Sequence, residues 1–147
     1  MQFPIIAAAL VVLAGACVTM QAPINAALGR SVQSIITAAA ISFGIGFLIL
    51  TLISVGTGQG RAFLRAGSAT WWMWSGGALG AFFVWTMVSN MPRLGAFTAI
   101  CALALGQILA ALIIDRTGAF GLPLREISLP RVLAALMVGG GLILSRF

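Results

Sequence analysis

Long runs of uncharged, apolar residues constrain this chain more than any other feature of its sequence. We expect each run to cross a hydrocarbon core about 30 Å thick, which takes about 20 helical residues. We place these runs at about residues 4–27, 33–55, 71–90, 94–114 and 130–145. Lipid offers backbone polar groups no water, so only helices or closed barrels can span it. The runs are too long and too uniformly apolar for barrel strands, which predicts an all-α polytopic membrane protein with about five transmembrane helices.

The scarcity of charge supports the same class of protein. Charged residues make up 7% of the 147 residues, whereas soluble domains average about 25%. The net charge of +6 comes from arginines scattered singly between the apolar runs. A nucleic-acid-binding protein needs a contiguous basic surface instead. We therefore expect a lipid bilayer and no nucleic acid as partner, and a single transmembrane domain over residues 1–147.

The start of the chain raises the question of a cleaved signal. The stretch Leu13-Ala14-Gly15-Ala16-Cys17 loosely resembles a lipoprotein cleavage box. No Arg or Lys precedes the run, however, so the positive region of a signal peptide is missing. The rest of the chain is also membrane-like. We interpret the run as the first transmembrane helix.

The arginines indicate the orientation of the five predicted helices. Five arginines fall on the side of the N-terminus: Arg61, Arg65, Arg116, Arg125 and Arg131. Three fall on the opposite side: Arg30, Arg93 and Arg146. The excess of two favours a cytoplasmic N-terminus. So small a bias suggests, as a hypothesis, insertion in both orientations and an antiparallel dimer.

Groups capable of catalysis or metal binding are scarce. The chain has no His and no Lys, and no acidic residue falls in the middle of a predicted span. Nucleophile–base pairs and metal clusters have little to be built from, so we expect no enzyme activity, no metal and no cofactor. Asp115, at the end of the fourth span beside Arg116, is the one acidic candidate. It is either a helix-end ion pair or a gating or proton-accepting group.

The polar groups that enter the spans are amides. Gln21 and Asn25 are four residues apart and so share one helical face. Pro23 lies between them and cannot donate to the carbonyl of Thr19, which favours a kink with a free acceptor. Gln107 is central in the fourth span. Each amide either contacts substrate, as at the discontinuous helices of transporters, or bonds neighbouring helices together.

Small and aromatic residues complete the set of candidates. Ser42 lies between Ala38 and Gly46 in a small-residue stripe, and packing of helices is the usual role of such stripes. Similar pairs occur later in the chain: Gly76 with Gly80, and Ala135 with Gly139. Trp71, Trp72 and Trp74 are typical of an aromatic belt at the membrane boundary. Trp85 sits deeper in the third span, where it either lines a cavity or faces lipid.

These residues, in their order along the chain, resemble the YdcZ-like family of the drug/metabolite transporter superfamily. The resemblance covers nearly the whole chain and is carried by Gln21 with Ile24-Asn25-Ala26, Ser42-Phe43-Gly44, Trp74-x-Gly76-Gly77-x-x-Gly80-Ala81, Gly106-Gln107 and Ile114-Asp115-x-x-Gly118-x-Phe120-Gly121. Arg116 departs from the pattern, since many members have His there. The resemblance implies a five-helix unit that is half of a ten-helix fold. It also implies pairing with an inverted copy or with a sister subunit.

The leading hypothesis is a multi-pass protein of the bacterial inner membrane that acts as a secondary transporter or exporter. Its substrate would be a small metabolite or organic cation. The binding site would lie between two protomers and involve Gln21, Asn25, Gln107 and Trp85, with Pro23, Ser42 and Asp115 in gating or at the interface. Two alternatives stay open. One is a channel for a small ion or solute, and the other is a membrane assembly subunit that transports nothing.

Overall fold

A computed structural model describes residues 5–145 and residue 147. Residue 4 of the first predicted span and Arg146 of the arginine comparison lie outside the described residues. The described part contains five α-helices and no strand: α1 (Ile5–Ser31), α2 (Ile35–Gly56), α3 (Ser75–Leu94), α4 (Ala96–Thr117) and α5 (Leu129–Leu144). Short 3₁₀ segments cover Gly60–Ser68, Trp71–Trp74 and Ala119–Gly121.

Three of these helices, α1, α2 and α4, are long and apolar enough to cross a membrane. In their most apolar windows only 6%, 11% and 6% of residues are buried. The apolar surface of the chain therefore faces outward, the reverse of a water-soluble domain. Of the other two helices, α5 has 16 residues, about 24 Å at the usual rise per residue. In α3, polar residues such as Asn90 and Arg93 dilute the hydropathy of its 20 residues.

Local chemistry explains where the helices begin and end. Ser34 caps α2, because its hydroxyl oxygen accepts from the backbone N–H of Thr37 at 3.2 Å. Gly118, with φ of 63°, ends α4 in the left-handed conformation that favours glycine. Gly95, with φ of 81°, separates α3 from α4. The third helix thus continues through Pro92 to Leu94, past the predicted end at residue 90, and the turn falls at the glycine instead.

The chain divides into two compact units, Met1–Asn90 and Met91–Phe147. In the N-terminal unit, α1 packs against α2, and Ala38 is completely buried. A small core joins α3 to this pair through Ala39, Val84 and Val88, with Ala26 and Phe83 packed against them. Small side chains at the contacts let the helix backbones approach closely.

The C-terminal unit is an antiparallel hairpin of α4 and α5. Ala99 and Ala135 are buried in it. A Cβ built on Gly139 would lie 3.8 Å from Cδ1 of Leu105, an ordinary contact distance. At one end the Thr98 hydroxyl donates to the carbonyl of Ser145 at 3.1 Å. Small residues therefore bring the two helices together, and polar contacts are made at the ends.

Candidate solute-binding site

Asn25 is the one buried polar residue of the described part of the chain, with 3% of its surface exposed. It lies on α1, two residues after Pro23, and α1 is helical on both sides of this proline. Its amide nitrogen Nδ2 has no hydrogen-bond partner among the described residues. A buried donor left unpaired costs about 1–3 kcal/mol. Such a group is stable only where the surrounding fold compensates, which marks it as a candidate for function.

A small cavity between α1 and α3 includes Asn25 in its wall. Its volume is about 10 Å³, close to the minimum that one water molecule needs. Both amides of α1 take part, as their four-residue spacing leads one to expect. The complete lining is Val18, Gln21, Ala22, Asn25, Phe83, Val84, Met87 and Val88. Apart from the two amides every lining residue is apolar, so Asn25 and Gln21 supply its side-chain hydrogen-bonding groups.

The residues of α3 that line this cavity were not singled out from the sequence. Val84 and Val88 are one helical turn apart, and Met87 lies between them on the same side. All three are buried. The signal that could have found them is the helical spacing of these three apolar residues in α3. An apolar stripe does not by itself reveal which neighbouring helix it meets.

Trp85 lies outside the cavity that contains Asn25. Its side chain is 46% exposed and lines a wider, open groove between α2 and α3. The other residues of this groove are Ile36, Ala39, Ala40, Phe43, Ala81 and Phe82. The rings of Phe82 and Trp85 are tilted, with centroids 6.3 Å apart. The structure therefore separates Trp85 from Gln21 and Asn25 within the N-terminal unit.

Three other predicted site residues occupy less enclosed positions. Pro23 is exposed on α1, and Ser42 is half-buried on α2, four residues after the fully buried Ala38. Gln107 is exposed on α4 in the C-terminal unit. The hydroxyls of Thr51 and Thr86 are buried without a partner among the described residues. They add to the polar groups of the N-terminal unit, although sequence analysis did not single them out.

Asp115 forms an ion pair with Arg131, at the start of α5, rather than with its neighbour Arg116. The distance from Nη1 of Arg131 to Oδ2 of Asp115 is 2.9 Å. Nη1 makes no well-directed hydrogen bond, so proximity of opposite charges accounts for the contact. The two side chains are 33% and 28% exposed, and a pair so accessible to water is worth about 0–1 kcal/mol.

The loop after α4 folds back on this ion pair. The backbone N–H of Arg125 donates to the carbonyl of Asp115 at 2.8 Å. A Cβ on Gly118 would lie 3.2 Å from the carbonyl oxygen of Leu122 and from the side chain of Leu124. The chain therefore needs glycine here both for its positive φ and for space. These contacts tie the end of α4 to the start of α5.

Comparisons with known proteins agree with this architecture. Residues 6–144 match the family described as "Putative inner membrane exporter, YdcZ". The Inner membrane protein YdcZ of Escherichia coli (strain K12) is 35% identical over 79 residues. That alignment covers 54% of this chain and 53% of the relative, so the match spans about half the length of each. No solved structure matches.

The family match covers nearly the whole chain, and it agrees with the outward-facing apolar helices described above. The description of this family is that of an exporter and not of an enzyme. The expected location, a multi-pass protein of the inner membrane, is confirmed. This chain is a member of the YdcZ family of inner-membrane proteins.

Proposed function

We propose that this protein is an exporter subunit that binds a small neutral or zwitterionic metabolite through Asn25 and Gln21. One observation carries the proposal: the Nδ2 group of Asn25 is buried and unpartnered in a cavity beside Gln21. An N–H donor of this kind suits a solute with a carbonyl, carboxylate or hydroxyl acceptor. A solute that accepts from Asn25 would recover part of the cost of burying it.

The absence of acidic residues from the N-terminal unit limits the class of substrate that it can bind. Residues 1–90 contain no Asp and no Glu. A strongly cationic solute would need a carboxylate to offset its loss of hydration, and this unit has none. The acidic residues of the chain, Asp115 and Glu126, both belong to the C-terminal unit. The proposal therefore favours neutral or zwitterionic metabolites over organic cations, and it includes no catalytic role.

The size of the cavity bears on how transport would occur. A space for about one water cannot hold a metabolite. The proposal therefore requires α3 to separate from α1, which would open the wall made by Val84, Met87 and Val88. The contacts that hold this wall are apolar, so they can break and reform without leaving unpaired charges.

We further propose that two copies of the chain assemble in opposite orientations into a ten-helix transporter of the drug/metabolite type. This requires α3 and α5 to cross the membrane together with the three more apolar helices. The small arginine excess supports dual insertion. A cysteine-free background lacking Cys17 and Cys101, with a probe cysteine replacing Gln59, tests this in intact cells. Labelling from both sides supports the antiparallel dimer, and labelling from one side contradicts it.

The transport proposal is tested by counterflow in proteoliposomes. The probes are radiolabelled amino acids as zwitterions and tetraphenylphosphonium as a cation. Asn90 offers a matched control, because it is also an asparagine of the N-terminal unit but its Nδ2 donates to the carbonyl of Thr86 at 2.8 Å. We expect saturable amino-acid counterflow that Asn25→Ala abolishes and Asn90→Ala retains.

Three results would contradict the proposal. Equal counterflow in Asn25→Ala and the unmodified protein would exclude the Asn25 site. Saturable transport of the cation alone would contradict the substrate class. Flux that rises linearly with solute concentration, without counterflow, would favour a channel.

A further inference from the structure

The segment Gly60–Trp74, which joins α2 to α3, has an unusual conformation. Two stretches of 3₁₀ helix make up most of it, and the first is nine residues long. Runs of 3₁₀ helix beyond three or four residues are uncommon. The segment begins soon after Gly56, the last residue of a helix long and apolar enough to cross a membrane. It therefore starts where the chain leaves the hydrocarbon region.

Two arginines on this segment have no counter-charge within their own unit. Arg61 and Arg65 are both exposed. The ion pair described in the structure, between Asp115 and Arg131, involves neither. Residues 1–90 contain no acidic residue at all, so no rearrangement within the N-terminal unit can supply one. A counter-charge for these arginines has to come from outside the unit.

The same segment exposes large apolar side chains next to the arginines. Leu64 is 85% exposed, Trp71 is 82% exposed and Trp74 is 62% exposed. Tryptophan is enriched at the boundary between lipid and water, because its ring is apolar and its N–H is polar. Leucine gains nothing from exposure to water. Guanidinium groups beside apolar groups are complementary to a phospholipid bilayer, in which phosphate groups lie next to acyl chains.

We infer that the Gly60–Trp74 segment binds anionic phospholipid headgroups, with Arg61 and Arg65 as the phosphate-binding residues. At about 2 Å of rise per residue in a 3₁₀ helix, the two arginines are about 8 Å apart along the axis. Guanidinium groups bind phosphate oxygens in a bidentate manner. Leu64, Trp71 and Trp74 lie against the outer part of the acyl region. This inference does not depend on the proposed transport of a metabolite.

The test is lipid binding by the purified full-length protein in detergent, measured by native mass spectrometry. Phosphatidylglycerol is the anionic probe and phosphatidylcholine is the zwitterionic one. The variant Arg61→Gln/Arg65→Gln is compared with Arg116→Gln/Arg125→Gln, which removes two exposed arginines from the C-terminal unit and so loses the same charge. A basic residue that lies at an anionic lipid surface contributes about fivefold to binding at that surface. We therefore expect affinity for phosphatidylglycerol to fall about 25-fold in the first variant and little in the control.

Two further measurements sharpen the result. The variant Arg61→Lys/Arg65→Lys keeps the charge but loses the bidentate guanidinium geometry, so its affinity for phosphatidylglycerol should fall between those of the unmodified protein and the glutamine variant. In vesicles, lipid brominated near the headgroup should quench a protein that keeps Trp71 as its one tryptophan. An equal loss of affinity in both glutamine variants would overturn the inference, because net charge alone would then explain it. No loss in either, or no quenching of Trp71, would overturn it as well.

Discussion

In the N-terminal unit the most buried polar side chain, Asn25, has no partner for its amide nitrogen. In the C-terminal unit, Asp115 lies 2.9 Å from Arg131, and the Thr98 hydroxyl donates to Ser145. One unit thus holds an unpaired polar group between its helices, and the other has polar contacts at the two ends of its hairpin. A buried unpaired donor lowers stability, whereas a pair at a helix end adds a little. We therefore propose solute binding for the first arrangement and structural support for the second.

Among the variants that test this difference between the two units, Asn25→Leu has the largest expected effect on stability and transport. Leucine removes the unpaired donor and places an apolar group among Val84, Met87 and Val88. We expect the free energy of unfolding to rise by about 1–3 kcal/mol, while counterflow is lost. Denaturation of the purified protein in mild detergent measures the first effect.

Asn90→Leu is the control, because Asn90 has a partner in Thr86. Loss of this hydrogen bond should lower the free energy of unfolding by about 0.5–1.5 kcal/mol. If Asn25→Leu lowered the free energy of unfolding as much as Asn90→Leu does, or more, the Nδ2 group of Asn25 would have a hydrogen-bond partner in the membrane. The contrast between the two units would then disappear.

The packing of the two units can be compared through one alanine in each. Ala38 is 0% exposed between α1 and α2, and Ala135 is 7% exposed between α4 and α5. Enlarging either to leucine overpacks a close helix contact, at a cost of about 1–3 kcal/mol. We expect Ala38→Leu to have the larger effect, since no part of Ala38 can move toward open space.

Exposed alanines of the same two helices serve as controls. Ala40→Leu and Ala134→Leu change the same number of atoms on faces that are exposed. Thermal unfolding of the four variants should leave both controls within about 0.5 kcal/mol of the unmodified protein. If the controls lost as much stability as the buried variants, the exposed faces would themselves be packed in the assembled protein.

The ion pair of the C-terminal unit gives the smallest expected effect. Asp115→Asn and Arg131→Gln should each lower the free energy of unfolding by up to about 1 kcal/mol. A double-mutant cycle isolates the coupling between them. Glu126→Gln is the control for loss of an exposed carboxylate. Coupling well above 1 kcal/mol would mean that the pair is buried from water in the assembled protein, and its role would then extend beyond support.

Much of the local structure could be predicted from the residues in order. The spacing of Gln21 and Asn25 predicts a shared face of α1, and both do line the cavity. Pro130 falls in the first turn of α5, where its missing N–H costs nothing. The family resemblance stated from ordered motifs is confirmed over residues 6–144. The roles proposed for the site residues stay predictions.

Other features depended on which helix faces meet. Small-residue pairs are abundant in this chain, and sequence cannot tell which of them make contacts. A Cβ on Gly80 would lie 3.3 Å from the ring of Phe43, whereas one on Gly76 would meet nothing within 4 Å. The two glycines look equivalent in the sequence. Their difference arises from the path of α3 across α2.

The class of protein follows from the residues alone, because 7% charged residues cannot cover a water-facing surface, and apolar runs of this length must be helical in lipid. Only the packing of the helices shows that Asn25 is enclosed while Gln107 is exposed, and that Asp115 meets Arg131 rather than Arg116. The physical reason is that helix formation depends on neighbours a few residues away, whereas burial and ion pairing depend on packing between helices distant in sequence. Where several faces are almost equally apolar, only the packed arrangement distinguishes them.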